Sequence, residues 1–556
     1  MFSLFIYKID RGKDMCKLDE INGFISNTCM KKPSEDLGVF LSIGNREHKA
    51  KVIFFNNHED FNNSSLDRIE EFKKEFTVYP EWVKIDFITK KLSIEFQSLR
   101  KNLIETRRNY INYGFSLDEE FELAFLPEEI NANAFVRPKK GEKSIFYLSR
   151  NNINGYLKKY KTTQKRYDRK DFNDKIVTQF FTKGFMLDNN KEYELKSNGY
   201  EKGLRVVEDL HDEIDCMIYS ATHFLKNEIQ SNGKYIYGYF PHFDKKINFY
   251  NNLRHSSSTY SLIEGLSYIN ESLESVKKPI DYIIKNYLYV KDGKGYIFDD
   301  TKNTNEIKLG QNAAFIFAVS EYLKHEENEE YLEAAQLVAE GTIDMIDDNG
   351  ETVHILDHPT LEVKEKYRIV YYDGEAALGL LRLYQHDGNE KWLNAVKSLF
   401  EKFISKDYWR YNDHWLGYCA NEMVNIIPDR RYFELGIKNV STNLTYIYKR
   451  ETTFPTFMEM LTASYKLVQK AKEKGYEDLV ESLIDEDFLI KTLHKRADYQ
   501  RTGYFYPEIA MYFKNPSRIL GAFFIKHHGY RVRIDDIEHY VSGYIQYQKL
   551  FKSSIE

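Results

Sequence analysis

The second half of this 556-residue chain carries the feature that most restricts its fold: apolar helical stretches whose first residues are polar. Segments at 253–269, 309–323, 372–386, 413–425 and 455–470 repeat apolar residues at helical spacing and crowd charged, amide or hydroxyl side chains at their entrances. The clearest runs Tyr371-Tyr372-Asp373-Gly374-Glu375, followed by Ala376, Ala377, Leu380, Leu381 and Tyr384 along the helix body. Amphipathic partners are predicted between them, at 279–288, 328–345, 391–405, 430–448 and 478–494. The entrances at residues 254, 311, 373, 414 and 456 are spaced by 41 to 62 residues. Repetition on this scale marks stacked helical hairpins. The spacing is too uneven for a strict-period solenoid and suits a closed ring whose inner helices share one core.

The first two hundred residues read differently. Stretches 37–43, 50–55 and 78–88 have strand character, and Gly44-Asn45 marks a turn between the first two. Residues 92–113 are predicted as a charged helix. The expectation is therefore an α+β region over residues 1–204, of unknown role, followed by a mainly α domain over 205–556. Neither GxxxxGK[ST] nor GxGxxG occurs, so no phosphate-binding glycine loop is predicted.

Composition narrows the function classes. A formal charge of −6 provides no global basic field for nucleic acid or an anionic membrane. The run of seven Lys and Arg between residues 158 and 170 reads as a solvated face. No stretch approaches the ~18 apolar residues of a membrane span. The four cysteines, Cys16, Cys29, Cys216 and Cys419, form no CxxC, which fits reduced thiols in a cytoplasmic protein. No cofactor is expected.

The phrase Gly310-Gln311-Asn312-Ala313-Ala314 is followed by Asn328-Glu329-Glu330-Tyr331-Leu332-Glu333-Ala334-Ala335 and the turn Asp348-Asn349-Gly350. A second copy of the turn-plus-aromatic element runs Asp387-Gly388-Asn389-Glu390-Lys391-Trp392-Leu393-Asn394-Ala395. Over residues 205–545 this pattern resembles the hairpins of the six-hairpin (α/α)6-toroid enzymes. That superfamily includes glycoside hydrolases, N-acylglucosamine epimerase-like isomerases and polysaccharide lyases. No single family's catalytic signature is matched residue for residue, so the resemblance carries over no site.

In such toroids the inner-helix N-termini meet at one mouth, where their dipoles favour anions. The residues expected there as catalytic are Asp373, Glu375, His414 and Glu451. Those expected to bind substrate are Arg254, His255, Tyr260, Gln311, Asn312, Tyr372, Trp415, Glu422 and Arg450. Asp373 and Glu375 are two apart, so one is predicted to face the mouth while the other caps or pairs. A general acid would come from Glu422, Glu451 or Glu459, and Glu508 is a further carboxylate expected near the rim. His527, His528, Asp535, Asp536 and His539 form the densest set of ligand-type side chains. Arg531 and Arg533 beside them favour ion pairs over a metal, and no metal site is predicted.

These observations predict a carbohydrate-active enzyme that hydrolyses or epimerises a saccharide through carboxylate and histidine acid–base chemistry. Two other readings stay open. One is a toroid that binds glycan or peptide without turnover. The other is a metal-dependent peptide-modifying toroid, for which Cys419 is the one cysteine in the middle repeats.

Overall fold

The computed structural model describes residues 2–552. The chain divides into two compact units. The first comprises Met1–Glu208, Tyr239–Lys245 and Thr502–Arg531, and the second Asp209–Gly238, Lys246–Arg501 and Val532–Glu556. Residues 239–245 and 502–531, placed by the sequence reading in the helical domain, thus pack with the first unit.

The first unit is α+β. Its antiparallel sheet centres on a long pair, Trp82–Glu95 against Ile176–Asp188, with Val39–Gly44 and then Lys51–Phe55 added on one side. Gly114–Ser116 and Ala124–Phe125 extend the other side. Helices α1 (Phe2–Met30) and α2 (His58–Phe76) close one core: Ile21, Phe24, Phe61 and Ile69 pack on Leu41, Val83, Ile85 and Phe87. The remaining helices are α3 (Phe96–Glu105), α4 (Pro127–Ala132), α5 (Arg150–Tyr160) and, late in the chain, α19 (Pro507–Ala510). The helix predicted over 92–113 is shorter than expected. Residues 89–95 continue the strand because pairing with Ile176–Asp188 provides their backbone partners, and the helix starts only at Phe96.

The second unit is an (α/α)6 toroid. Six inner helices form a closed ring: α7 (Asn252–Tyr268), α9 (Leu309–Leu323), α11 (Tyr371–Asp387), α13 (His414–Ile426), α16 (Thr456–Glu473) and α20 (Ile534–Phe551). Each packs on the next, and α20 returns to α7. The outer layer is α6 (Leu210–Asn227), α8 (Glu274–Tyr287), α10 (Glu329–Ile343), α12 (Glu390–Ser405), α14 (Arg430–Ser441) and α18 (Glu486–Gln500), with short α15 (Leu444–Lys449) and α17 (Glu477–Leu483) beside them. The two layers differ in sequence for a physical reason. Every residue of α9 is buried, so apolar side chains surround it, whereas α12 buries the single stripe Trp392, Leu393, Val396, Leu399, Phe400 and Phe403. The repeated turn works through capping. Asn328 and Asn389 each accept a backbone N–H of the outer helix that follows, and Gly388 takes the left-handed conformation (φ 68°) that ends α11. The partner helices predicted at 430–448 and 478–494 are each broken in two.

Among the described residues no helix is long and apolar enough to cross a membrane.

Candidate active site

Inner and outer helices alternate in direction, so all six inner N-termini lie at one end of the ring. Their first turns touch. Glu375 of α11 lies so close to α9 that a Cβ on Gly310 would stand 1.9 Å from its Oε2. A Cβ on Gly374 would meet Asp413 Oδ2, just before α13, at 2.5 Å. His539 Nδ1 of α20 is 2.9 Å from Glu459 Oε2 of α16 and 4.0 Å from Glu538 Oε1. The His414 ring of α13 stands perpendicular to the His539 ring, with centroids 5.0 Å apart. Arg254 of α7 places Nε 3.1 Å from Asp535 Oδ2 at the head of α20 and donates from Nη1 to the Tyr237 hydroxyl at 2.8 Å.

The electrostatics of this mouth are unusual. Burial pushes Glu375 well above the ordinary carboxylate range, and neighbouring Asp413 and Glu538 push it further. Asp413 is also held well up by burial, although backbone N–H groups of Trp415 and Leu416 oppose it. Glu538, buried and accepting from Ser257 Oγ at 2.6 Å, is pushed up to about 8. Burial alone would lower His539, but Glu459 and Glu538 outweigh it and hold the imidazole up at about 10. His414 goes the other way: burial, then repulsion from His539, drives it well below its usual value. The mouth therefore holds a neutral imidazole facing a protonated one, among carboxyls (Glu375, Asp413 and Glu538) whose pKa values burial raises.

Several polar atoms here are buried and have no hydrogen-bond partner among the described residues: His414 Nε2, Glu375 Oε2 and Glu538 Oε1. Glu459 Oε2 and His539 Nδ1 lie within ion-pair distance yet out of hydrogen-bond alignment. His414, Glu459 and His539 each offer a donor atom within 4.8 Å of the others, a spacing that also suits a divalent ion. A metal there would require the His539 proton to leave its carboxylate partners.

Asp373, two residues before Glu375, faces away into a filled cage. It accepts from Thr352 Oγ1 at 2.6 Å and Tyr408 Oη at 2.6 Å, lies 3.1 Å from His354 Nε2, and pairs with Lys402 Nζ at 3.1 Å. Burial alone would raise its pKa, but His354, Lys402, Thr352 and Tyr408 bring it down to about 2.

The other predicted residues are distributed as follows. Trp415 lies against His414 (4.6 Å) and Phe317 (5.1 Å), and Tyr372 is buried under the His354 ring. His255 is locked by Tyr250 Oη at 2.6 Å and the Pro279 carbonyl at 2.9 Å. Gln311 and Asn312 bind the backbone of Ile297, anchoring the Lys294–Asp299 strand against α9. Tyr260 lies deeper in the ring, its face under Arg382, and Glu422 pairs with Arg382 at 2.9 Å in the last turns of α13, away from the entrance. Glu451 is exposed in the loop before α16, where its carbonyl accepts from Tyr499. Arg450 Nε donates to Thr452 at 2.6 Å. Glu508 is not a rim carboxylate: it is buried in the first unit and bidentate to Arg205 at 2.9 and 2.6 Å. His527 and His528 belong to the first unit, whereas Asp535 and Asp536 pair with Arg533 at 3.0 and 2.8 Å in the second.

Sequence reasoning passed over Asp413 and Glu538 and gave His539 only a place in a possible metal cluster. The signal was available: α20 opens with Asp535, Asp536, Glu538 and His539, a sixth polar entrance matching the other five.

No family model and no curated protein matches the chain. Solved structures do. A sugar epimerase from a ruminal bacterium aligns over 62% of this chain and 99% of its own at 13% identity, with a TM-score of 0.48. Cellobiose 2-epimerase from Bacillus thermoamylovorans aligns over 61% and 99% at 11% identity, TM-score 0.47. An α-1,6-mannanase from a Salegentibacter species aligns over 62% and 99% at 12% identity, TM-score 0.42. At these identities the likeness concerns the fold alone.

Proposed function

We propose that the toroid is a carbohydrate epimerase or isomerase that moves a proton at the carbon next to a sugar carbonyl. The observation that carries this reading is the opposed protonation of His414 and His539 across 5.0 Å of the mouth. A neutral imidazole can take a proton from carbon, and a protonated one can deliver a proton to the opposite face or to oxygen. Glu459 is the first counter-charge that keeps His539 charged, and a carboxyl whose pKa is raised, as at Glu375 and Glu538, can donate a hydrogen bond to an enediolate-like oxygen. Arg254, fixed by Asp535, adds positive charge at the rim, and Trp415 holds the His414 ring from behind. Asp373 serves in this scheme as a structural anchor for the entrance of α11.

Hydrolysis is less well served. It needs a protonated carboxyl opposite an ionised one that acts as nucleophile or base. Burial raises the pKa of both Glu375 and Glu538, Glu459 lies against His539, and the plainly ionised Asp373 is enclosed.

The test is incubation of the protein with reducing mono- and disaccharides in D2O. Deuterium at C2 with an epimer or ketose product supports the reading; a cleaved glycosidic bond without exchange refutes it. The pH profile follows from the donor's charge. kcat/KM should hold from mildly acidic pH to about 8 and fall as pH rises through about 10, where His539 loses its proton.

A further inference from the structure

The first unit contains a small cavity of about 50 Å³. One water needs ~10–15 Å³ of such space, so there is room for a molecule of a few non-hydrogen atoms. Its lining includes Tyr110, Glu128, Asn131, Lys202 and Lys526.

The polar groups on this lining do not satisfy one another. The Lys526 ammonium lies 4.8 Å from the Tyr110 ring centroid, and among the described residues it has neither a hydrogen-bond acceptor nor a carboxylate within ion-pair distance. Burial draws it down to about 8 against the pull of Glu128. Glu128 uses one oxygen on Lys84 Nζ at 3.2 Å, while Oε2 is buried with no partner among the described residues. Asn131 is 8% exposed; its Nδ2 donates to the Ile111 carbonyl at 2.7 Å, and its Oδ1 is likewise unpartnered. Lys202 is already satisfied by Thr182 at 3.0 and 3.2 Å. The cavity thus presents one cation that lacks an acceptor and two acceptors that lack donors. Leaving buried acceptors such as Glu128 Oε2 and Asn131 Oδ1 unpaired is costly.

A plain anion would answer Lys526 and leave both acceptors orphaned; a plain cation would do the reverse. We propose that this cavity is a binding site for a small zwitterion of the α-amino-acid class. Its carboxylate sits on Lys526, and its ammonium sits on Glu128 Oε2 and Asn131 Oδ1. Lys84 acts as a positioning residue. Fully buried, it pairs with Asp86 at 2.7 Å and with Glu128, fixing the carboxylate that receives the ammonium.

Calorimetric titration of the full-length protein with glycine, L-alanine, acetate and methylammonium tests this. Glycine or L-alanine should bind, with acetate and methylammonium each weaker by at least about tenfold. Lys526→Met and Glu128→Gln should each weaken amino-acid binding by about tenfold or more while far-UV circular dichroism stays unchanged. If one variant fails to fold, the other decides. Absence of glycine and L-alanine binding at millimolar concentration, acetate binding as tightly as glycine, or undiminished binding in a folded variant would overturn the proposal. So would a crystal structure grown with glycine that shows only water in the cavity. The readout is binding to the first unit, so the outcome is independent of whether the toroid turns over sugar.

Discussion

Asp373 and Glu375 are two residues apart on one helix, and the structure treats them in opposite ways. Asp373 is enclosed by Thr352, His354, Lys402 and Tyr408, which hold it ionised. Glu375 faces other carboxyls with Oε2 unpaired among the described residues, and burial raises its pKa. A carboxylate whose every partner is supplied by the chain serves the fold; one left unsatisfied among shifted groups is available to a ligand. The difference comes from which way the first turn of α11 aims each side chain.

The comparison breaks most sharply at Asp373. Asp373→Ala should lower folding stability by about 3–5 kcal/mol, since it strands the buried Lys402 ammonium. Urea denaturation checks this, and a loss of turnover without a loss of stability would contradict the assigned division of labour. On the other side, His414→Gln and His539→Gln should each reduce kcat by about 10²–10⁴-fold with the melting curve nearly retained. Steady-state kinetics beside calorimetry separates the two quantities. Gly310→Ala probes how tightly the mouth is packed. The new methyl would overlap Glu375 Oε2 and the Tyr372 ring, at 1.9 and 2.4 Å, costing about 1–3 kcal/mol and activity together.

The smallest effect concerns Glu538. Its pKa is raised in the folded state, so the folded protein binds that proton more tightly than the unfolded chain. Stability from this group is therefore present below the ordinary carboxylate pKa and is lost as pH rises toward about 8. Glu538→Gln keeps an acceptor for Ser257 and removes the titration. The variant should gain stability relative to the parent at pH 9 and show no such gain at pH 4. An equal gain at both would refute the raised pKa.

The toroid was legible because its inner helices are apolar on all sides and its outer helices on one stripe, a difference visible in residues 309–323 and 391–405. Boundaries were legible where capping chemistry sets them, as at Asn328, Asn389 and Gly388. The sharing of residues 239–245 and 502–531 with the first unit was not, because it depends on tertiary packing that leaves no periodic trace. The site divided similarly. The polar entrances marked the mouth, but Glu375 and Asp373 carry the same charge in the sequence, and only burial and neighbours separate them. Glu508 was expected near the rim because its partner, Arg205, is 303 residues away and the pairing leaves no local trace.

The ring closes where α20 meets α7, and the two imidazoles of the mouth come from α13 and α20. No contiguous part of the toroid contains the assembled site. Burial within the closed ring, and then His539, depress the basicity of His414, and Glu459 supplies the first counter-charge to His539. The ring is sealed by contacts between residues distant in sequence, so the mouth is assembled only once α20 has docked on α7 and α16.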